Sequence, residues 1–364
     1  MAMTGDPEKS RRNLSLAMSQ SIEKGIEFLL SSQHSDGYMP SFMADDRDLR
    51  INRSEDRSVF ISQHVMASLL RVENDKAKQI VQQILKFLLS DCWYGGLWKF
   101  WTKDHAGRYA IPLDTDDTAC VAHLIEQMHL PVSSLTRRIL LGNRDKNGLF
   151  RTWILPRFSH LFQPRHWLIL ARMRAHPLQL HAFFSAGEAN AGDVDAVVNA
   201  NAVLLFGENA DTREAINWIH AIVLNGEEAS FDRFYQSRLA LYYALLRCWK
   251  NGCKAFDSLH ELIVQRIQEC LNDTDGSNQN ALEVALSVII LCAWAPDAEE
   301  LEDSIQFLLQ SQQDDGHWPA RAFFYGGNSE CTICWGSEQL TTGFCVEALS
   351  EYQSVANRMH PANC

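Results

Sequence analysis

A short pattern that occurs near both ends of the chain constrains its fold more than any other feature. Phe28–Gln33 is followed by Asp36-Gly37-Tyr38, and Phe307–Gln312 is followed by Asp315-Gly316-His317-Trp318. Each copy reads as the end of a helix, a glycine turn and an aromatic residue. Weaker copies between them are Phe87-Leu88-Leu89 with Gly95-Gly96-Leu97-Trp98, and Ile139-Leu140-Leu141 with Gly148-Leu149-Phe150. Such a recurring unit is typical of stacked or closed helical repeats.

Hydrophobic periodicity divides the chain into pairs of helices, in which an amphipathic helix precedes one that is apolar nearly all round. The amphipathic helices are expected at about residues 17–32, 77–90, 134–142, 211–224, 257–270 and 300–312. The apolar helices are expected at about residues 58–71, 114–127, 193–206, 233–248, 280–295 and 338–351. This alternation predicts an all-α chain that folds as a single (α/α)6 barrel, with inner helices wrapped by outer ones. An open helical solenoid is the alternative, and the return of the strongest repeat near the far end favours closure.

The bulk composition excludes several classes of protein. The chain has 364 residues, of which 46% are hydrophobic, and its net charge of -12 argues against a nucleic-acid partner. No apolar run approaches the ~20 residues that span a membrane, and the polar start at residues 1–13 does not resemble a signal peptide. The ten cysteines lie mostly in apolar helical runs, which is typical of reduced cysteines in a cytoplasmic protein. Cys331 and Cys334 have metal-ligand spacing but no second pair, so we expect no metal site.

The segment Asp114-Thr115-Asp116-Asp117 places three carboxylates at the expected start of the second inner helix. Asp114 suits the N-cap position, and Asp117 lies three residues further on the same helix face. Like charges this close raise the pKa of at least one carboxyl group. We expect Asp114 and Asp117 to form a hydrogen-bonded, mainly charged pair, and Asp116 to carry a proton into the central cavity. A protonated carboxylic acid in an apolar site can protonate a carbon–carbon double bond, whereas a solvated N-cap cluster would have no such role.

At these residues the sequence resembles the class II terpene cyclases, of which squalene–hopene cyclase is the familiar member. The acid motif of that family, D-x-D-D-T-A, is matched by Asp114–Ala119, and its Q-x-x-x-G-x-W repeat is matched by Gln312–Trp318. The resemblance covers roughly residues 21–352 and is specific at the acid motif and the terminal repeat. It implies that Asp116 is the general acid and that Asp114 and Asp117 support it.

The chain departs from most of that family in size, because it has room for one barrel where the familiar members have two or three helical domains. It is therefore similar to the single-domain bacterial members, including those that make merosterolic acids from farnesylated dihydroxybenzoic acids. The resemblance implies cyclisation of a linear, hydrophobic isoprenoid, and we expect a farnesylated aromatic acid as the substrate. No cofactor is expected, except Mg²⁺ if the substrate is a diphosphate.

Several further residues are candidates for the site. Asn199 and Asn201 lie in the apolar third inner helix, and His64 lies in the first. Each is a candidate to support the acid or to act as the final base. The alternative is that each forms a structural hydrogen bond within the fold. Aromatic side chains can stabilise carbocations by cation–π contact. The aromatic residues that we expect to bind the substrate are Trp98, Phe100, Trp101, Trp153, Trp318, Phe324, Tyr325, Trp335 and Phe344.

A basic and aromatic insertion is expected near residues 146–187, which contain no Asp or Glu. It could plug the acid end of the barrel against water, bind an anionic head group or contact a membrane surface, and we favour the plug. The remaining expected boundaries are a polar tail at 1–16, one barrel domain at 17–352 and a C-terminal tail at 353–364.

Three rival functions stay open at this point. A drimenyl-diphosphate-type cyclase would act on farnesyl diphosphate, and the β-subunit of a protein prenyltransferase would need a zinc signature that we do not find. A barrel that binds isoprenoids without chemistry would have no reason to cluster three carboxylates. We expect a cytoplasmic protein, and leave open a peripheral membrane contact and the oligomeric state.

Overall fold

The computed structural model describes residues 7–155, 177–185, 189–272, 279–326 and 332–359, so most of the expected insertion lies outside the described residues. Helices make up most of this part of the chain. The α-helices are α1 (Pro7–Ser32), α2 (Val59–Leu69), α3 (Asp75–Ser90), α4 (Thr115–Gln127), α5 (Ser134–Gly142), α6 (Pro177–Ser185), α7 (Ala196–Phe206), α8 (Arg213–Asn225), α9 (Arg238–Lys250), α10 (His260–Asn272), α11 (Ala281–Trp294), α12 (Glu300–Ser311) and α13 (Glu338–Met359), and short 3-10 helices span Glu228–Ser230 and Asp257–Leu259.

The apolar helices form a closed ring. In α2, α4, α7, α9 and α11 nearly every residue is buried, as is the first half of α13. Each packs against the next along the chain, and α13 packs back against α2. The amphipathic helices lie outside this ring; for example, α1 packs against α13, α3 against α2, and α12 against α11. The fold is therefore a helical barrel, because apolar helices need partners on all sides and amphipathic helices need them on one.

The expectation of an all-α chain is wrong, because short antiparallel strands occur within the described residues. The strands are β1 (Phe42–Ala44), β2 (Ser54–Glu55), β3 (Leu113–Asp114), β4 (Trp153–Ile154), β5 (Ala322–Gly326) and β6 (Ile333–Gly336). They form one sheet in the order β2-β1-β6-β5 and a second sheet of β3 and β4. All of them lie in connections that lead from an outer to an inner helix. These connections meet at one end of the barrel and pair their backbones, and strands this short carry no alternating pattern that a sequence could reveal.

The bounds of the helices also differ from expectation at the two ends. α1 begins at Pro7 and α13 ends at Met359, so residues 7–16 and 353–359, which we placed in tails, are helical. α6 lies in the expected insertion, where we predicted no helix. These differences lengthen two helices and leave the order of outer and inner helices unchanged.

The two strong copies of the repeat fix the outer helices in the same way. Gln33 Nε2 donates to the carbonyl oxygen of Gly37 (3.0 Å), and Gln312 Nε2 donates to that of Gly316 (2.8 Å). Both glycines have a left-handed backbone, with φ of 93° and 97°. A Cβ at Gly316 would lie 2.4 Å from the backbone oxygen of Lys24 in α1, so only glycine fits this approach between α12 and α1.

Candidate active site

The acid motif forms the N-terminus of α4 at the end of the barrel where the strands lie. Asp114 is the N-cap residue, with an extended backbone, and its Oδ1 accepts a hydrogen bond from the backbone N–H of Asp117 (2.7 Å). The exposed fractions of Asp114, Asp116 and Asp117 are 4%, 7% and 2%. The solvated N-cap interpretation therefore does not fit, because all three carboxyl groups are buried.

Asp116 receives a donor on each carboxyl oxygen. Asn201 Nδ2, from α7, donates to Oδ1 (2.6 Å), and the hydroxyl of Tyr235 donates to Oδ2 (2.5 Å). Burial raises the pKa of Asp116, while the hydrogen bonds from Tyr235 and Asn201 and the charge of Arg247 act to lower it. Burial thus favours a resting proton on Asp116, and the two donors stabilise the carboxylate that a proton transfer would leave behind.

Asp114 and Asp117 differ from expectation in their charge. Asp117 Oδ1 accepts a hydrogen bond from Gln63 Nε2 (2.7 Å), and neither carboxylate forms an ion pair with any described lysine or arginine. Burial and the neighbouring carboxylates raise the pKa of Asp117 well above its ordinary range. Burial and the charge of Asp116 raise the pKa of Asp114 to about 7. Burial therefore acts against a mainly charged pair, because no cation among the described residues forms an ion pair that offsets the cost of burying these groups.

A cavity lined mainly by aromatic rings adjoins the acid and has a volume of about 20 Å³. Phe324, from β5, stacks on Phe100 and on Phe234 with ring centroids 5.0 and 5.4 Å apart, and its edge meets Tyr235. The faces of these rings can stabilise a positive charge by about 2 kcal/mol each where water is excluded. The residues that line this acid cavity are Phe60, Phe100, Asp114, Asp116, Asp117, Thr152, Trp153, Val198, Phe234, Tyr235 and Phe324.

Phe100, Trp153 and Phe324 are thus the expected aromatic residues that the structure places in the acid cavity. Trp98 and Trp318 do not line it. Their indole N–H groups donate to backbone oxygens of outer helices, Trp98 to Leu88 (2.8 Å) and Trp318 to Leu308 (2.7 Å). These tryptophans tie an outer helix to the following inner one, so their assignment to substrate binding is corrected.

Trp101 and Trp335 lie behind the cavity wall. Both indole N–H groups donate to Asp56 Oδ2, at 2.9 and 2.6 Å, and His105 Nε2 lies 2.9 Å from Asp56 Oδ1. The ring of Trp335 meets Phe100 edge-on, with centroids 5.5 Å apart. These two tryptophans support Phe100 and do not line the acid cavity.

Tyr325 and Phe344 also lie outside the acid cavity. The hydroxyl of Tyr325, which is buried, donates to the backbone oxygen of Ala322 (3.1 Å) within β5. Phe344 packs edge-on against Tyr243 deeper in the barrel, with ring centroids 5.1 Å apart. For both residues, packing within the fold explains their burial.

The structure separates the two asparagines that the sequence grouped. Asn201 contacts the acid, whereas Asn199 Oδ1 accepts from the backbone N–H of Phe150 (2.8 Å) and its Nδ2 donates to the backbone oxygens of Phe150 and Asp195 (2.9 Å each). Asn199 is a structural tie, and its candidacy as an acid-supporting residue is corrected. Residues two positions apart on a helix differ by about 200° in rotation about the helix axis. The side chains of Asn199 and Asn201 therefore point to nearly opposite sides and reach different neighbours.

Sequence reasoning missed Tyr235 and Gln63, which contact Asp116 and Asp117. The signal for Tyr235 was its position: the pair Phe234-Tyr235 lies at the end of the connection into an inner helix, which begins at Arg238. Gln63 occupies an apolar helix next to His64 and offered the same buried-polar signal as Asn201. Tyr235 and Gln63 could each have been proposed as site residues from the sequence, but the carboxyl groups that they contact could not have been predicted.

Three other expectations can be compared only with the described residues. The eight cysteines there are all free, while Cys331 of the metal-like pair lies outside them. No group of three or more His, Cys, Asp or Glu side chains in the described ranges is arranged to hold a metal ion. None of the helices described is long and apolar enough to cross a membrane.

This barrel is the fold of the single-domain type II terpene cyclases. The type II terpene cyclase MstE from Scytonema, solved with its substrate geranylgeranyl dihydroxybenzoate, superposes with a TM-score of 0.66 at 15% identity over 94% of this chain and 99% of that one. The substrate of MstE carries a geranylgeranyl chain, so our expectation of a farnesylated substrate for such enzymes is corrected for MstE.

Two further structures mark the limits of this likeness. ent-Copalyl diphosphate synthase from Streptomyces platensis matches with a TM-score of 0.50 at 14% identity, over 81% of this chain and 50% of that one. An alpha-amylase from Clostridium perfringens matches with a TM-score of 0.55 at 11% identity, over 92% and 97%. No protein-family model and no curated protein matches the sequence. At these identities the comparisons establish the fold, and the activity has to be argued from the site.

Proposed function

We propose that the protein is a class II terpene cyclase in which Asp116 protonates the terminal double bond of a linear isoprenoid. The observation that carries this proposal is the environment of Asp116, which is buried, receives donors on both oxygens and faces aromatic rings. Its proton adds to one alkene carbon, which leaves a tertiary carbocation on the other. The π electrons of the next double bond then form a carbon–carbon bond, and the charge moves along the chain as rings close.

Cyclisation ends when the last cation loses a proton or captures a nucleophile, and we propose His64 as the acceptor in the first case. Its Nδ1 lies 2.9 Å from the backbone oxygen of Phe60, so Nδ1 carries the hydrogen and the lone pair is on Nε2. Burial lowers the pKa of His64 to about 3, with a contribution from Arg247, so the ring is neutral. A neutral imidazole is a weak base in water but a sufficient one for a carbon-bound proton next to a cation.

For the substrate we propose an isoprenoid joined to an aromatic acid, with a farnesyl or a geranylgeranyl chain. The bound substrate of MstE and its product merosterolic acid A support this class. The likeness to ent-copalyl diphosphate synthase favours the alternative, a diphosphate substrate for which Mg²⁺ would be needed. A barrel that only binds isoprenoids is the non-enzymatic alternative.

The proposal includes an (α/α)6 barrel of six inner and six outer helices, with α6 as an addition, in one domain that contains all of α1 and α13 and so extends beyond the 17–352 expected from the sequence. The ring of inner helices supports this arrangement. Partners other than the isoprenoid, the absence of nucleic acid, a peripheral membrane contact and a cytoplasmic location stay predictions.

The test compares the wild type with Asp116→Asn in the presence of EDTA. Each is given farnesylated dihydroxybenzoate, geranylgeranylated dihydroxybenzoate and farnesyl diphosphate, and mass spectrometry with NMR detects isomers that have fewer alkenes. We expect cyclised aryl product from the wild type alone. Cyclisation of the diphosphate only, after Mg²⁺ is restored, would favour the alternative cyclase. Tight binding of the substrates by both proteins, without any product, would favour a barrel that only binds isoprenoids.

A further inference from the structure

A second pocket adjoins the acid cavity at the rim of the barrel. This rim pocket, of about 640 Å³, is lined among others by Arg47, Asp193, Asp195, Asp232, Arg233 and Gln236. Trp153 separates the two spaces: its ring lines the acid cavity, and its indole Nε1 donates to Asp193 Oδ2 (3.4 Å). An isoprenoid chain held at Asp116 could therefore extend its other end past Trp153 into the rim pocket.

The loop that follows β1 is built so that its three aspartates are used within the fold. Asp46 Oδ1 accepts hydrogen bonds from the backbone N–H groups of Arg50 (2.7 Å) and Ile51 (2.6 Å). Asp45 accepts from the side chain of Asn52 (2.6 Å), and Asp48 pairs with Arg321. The run Asp45-Asp46-Arg47-Asp48 thus has a defined shape, and its carboxylates are not available to Arg47.

Arg47 differs from several arginines around this end of the barrel in having no carboxylate partner among the described residues. Arg53, Arg57 and Arg321 each pair with a carboxylate. Arg47 instead donates to the amide oxygen of Gln236 (2.7 Å) and lies 5.7 Å from the ring centroid of Tyr325. No carboxylate oxygen of the described residues lies within 4.0 Å of it. Neutral partners therefore hold a guanidinium at the rim pocket with its charge unmatched, which suits the capture of an anion.

We propose that Arg47 binds the carboxylate of the substrate's aromatic head group in the rim pocket; this inference rests on the proposed cyclase function. A carboxylate and the Arg47 guanidinium carry opposite single charges, and the two can form parallel hydrogen bonds. Asp193, Asp195 and Asp232 line the same pocket, where an ionised aspartate repels a multiply charged diphosphate more strongly than a carboxylate, and where their oxygens can accept hydrogen bonds from phenolic hydroxyl groups. Asp232 Oδ1 is buried without a hydrogen-bond partner among the described residues, which leaves one acceptor for such a group. The pocket therefore selects a hydroxylated aryl carboxylate over a diphosphate.

The experiment measures head-group recognition apart from chemistry. Equilibrium binding is measured in the Asp116→Asn background, which does not turn over, for geranylgeranylated dihydroxybenzoate, for its methyl ester and for geranylgeranyl diphosphate. Arg47→Gln is compared with Arg50→Gln, since Arg50 is an exposed arginine of the same loop that does not line the pocket. We expect Arg47→Gln to weaken binding of the acid roughly five- to tenfold, and to leave binding of the ester unchanged. Arg50→Gln should change neither.

Equal losses for acid and ester, or equal effects of the two variants, would overturn the assignment of Arg47. A larger loss for the diphosphate than for the acid would overturn the choice of a carboxylate. The proposed function has its own readout, because cyclisation by the otherwise wild-type protein with Arg47→Gln at saturating substrate depends on Asp116 and not on Arg47. Product formation with no selective loss of acid binding would thus retain the cyclase and reject the rim pocket as its head-group site.

Discussion

The starts of α4 and α13 share one structural frame and differ in chemistry. Trp98 precedes α4 and Trp318 precedes α13, and their indole N–H groups bond the backbone oxygens of Leu88 and Leu308 at 2.8 and 2.7 Å. Their backbone N–H groups donate to threonine hydroxyls in the first turns of the two helices, Thr118 (3.0 Å) and Thr342 (3.1 Å). Repeated local contacts therefore hold both helix starts at the same end of the barrel.

Counting back from these threonines shows where the two copies diverge. Asp114 corresponds to Glu338, Asp116 to Leu340 and Asp117 to Thr341. Glu338 turns outward and pairs with Arg53 (2.6 Å); burial acts to raise the pKa of Glu338, but the paired guanidinium outweighs it and lowers the pKa. In α4 the carboxyl groups turn inward, and burial raises the pKa of all three. The repeat thus produces the shared structural frame, whereas the acid depends on the residues at three positions in one copy of the repeat.

The largest effect should come from removing the acid while keeping its shape. We expect Asp116→Asn to lower the turnover number about 10³-fold, because a general acid contributes 10²–10⁴ and an amide cannot supply the proton. Glu338→Gln alters the corresponding helix start in α13 and should stay within about twofold of the wild type. Turnover of a prenylated dihydroxybenzoate, followed by mass spectrometry, distinguishes the two. A substantial residual rate in Asp116→Asn would assign the proton to another group.

The shared frame predicts that its two tryptophans matter equally for stability. Trp98→Phe and Trp318→Phe each lose a buried hydrogen bond and leave a backbone oxygen unpaired, so each should lower the free energy of unfolding by about 2 kcal/mol. Only Trp98→Phe should also slow turnover, because it supports the start of α4. Urea denaturation and initial rates measure the two effects. A large difference between the two stability losses would show that the copies are not equivalent.

The features that could be predicted from the sequence are those that depend on residues close together along the chain. The acid motif, the glycine turns and the alternation of amphipathic and apolar helices each depend on residues a few positions apart. The contacts of Asp56 are different in kind, because this carboxylate binds Trp101 and Trp335 from two distant segments. Nothing in the neighbourhood of Asp56 in the sequence indicates that it supports the wall of the cavity.

The charge state of the acid cluster was not predictable from sequence for a related reason. A helix start with three carboxylates favours negative charge by its dipole, but the outcome depends on which groups cover it. Tyr235 and Asn201 come from distant parts of the chain and both stabilise the charged form of Asp116, whereas Asp117 has one such side-chain donor, Gln63. The sequence specifies the carboxyl groups, and the tertiary fold divides the roles among them.

A substitution of Tyr235 tests whether the tertiary fold sets the role of Asp116, and its expected effect on activity is of intermediate size. Its hydrogen bond lowers the pKa of Asp116, so Tyr235→Phe should raise this pKa further. Asp116 must be protonated to act, and activity therefore falls as pH rises through its pKa. In the variant this fall should occur at higher pH, while the maximal rate drops about tenfold because the acid is weaker. Tyr243→Phe, whose hydroxyl bonds Glu347 and not the acid, is the control and should leave the pH profile in place.

The smallest effect concerns stability and has opposite signs at the two helix starts. The pKa of Asp117 is raised in the folded state, so the unfolded chain ionises first and the protein loses stability as pH rises above about 4. Asp117→Asn removes this loss, and we expect it to raise the free energy of unfolding by about 1 kcal/mol near pH 8 and by nothing near pH 4.

Glu338 has a lowered pKa, so its contribution is present above the pKa of the unfolded chain and is lost as pH falls through the folded value. Glu338→Gln should therefore destabilise the protein near pH 8 by less than about 1 kcal/mol, since its ion pair with Arg53 is partly exposed. Chemical denaturation of both variants at the two pH values measures the signs. If Asp117→Asn also destabilised the protein at high pH, the carboxylates of α4 would be stabilising groups like Glu338, and the contrast between a structural helix start and one that stores a proton would not hold.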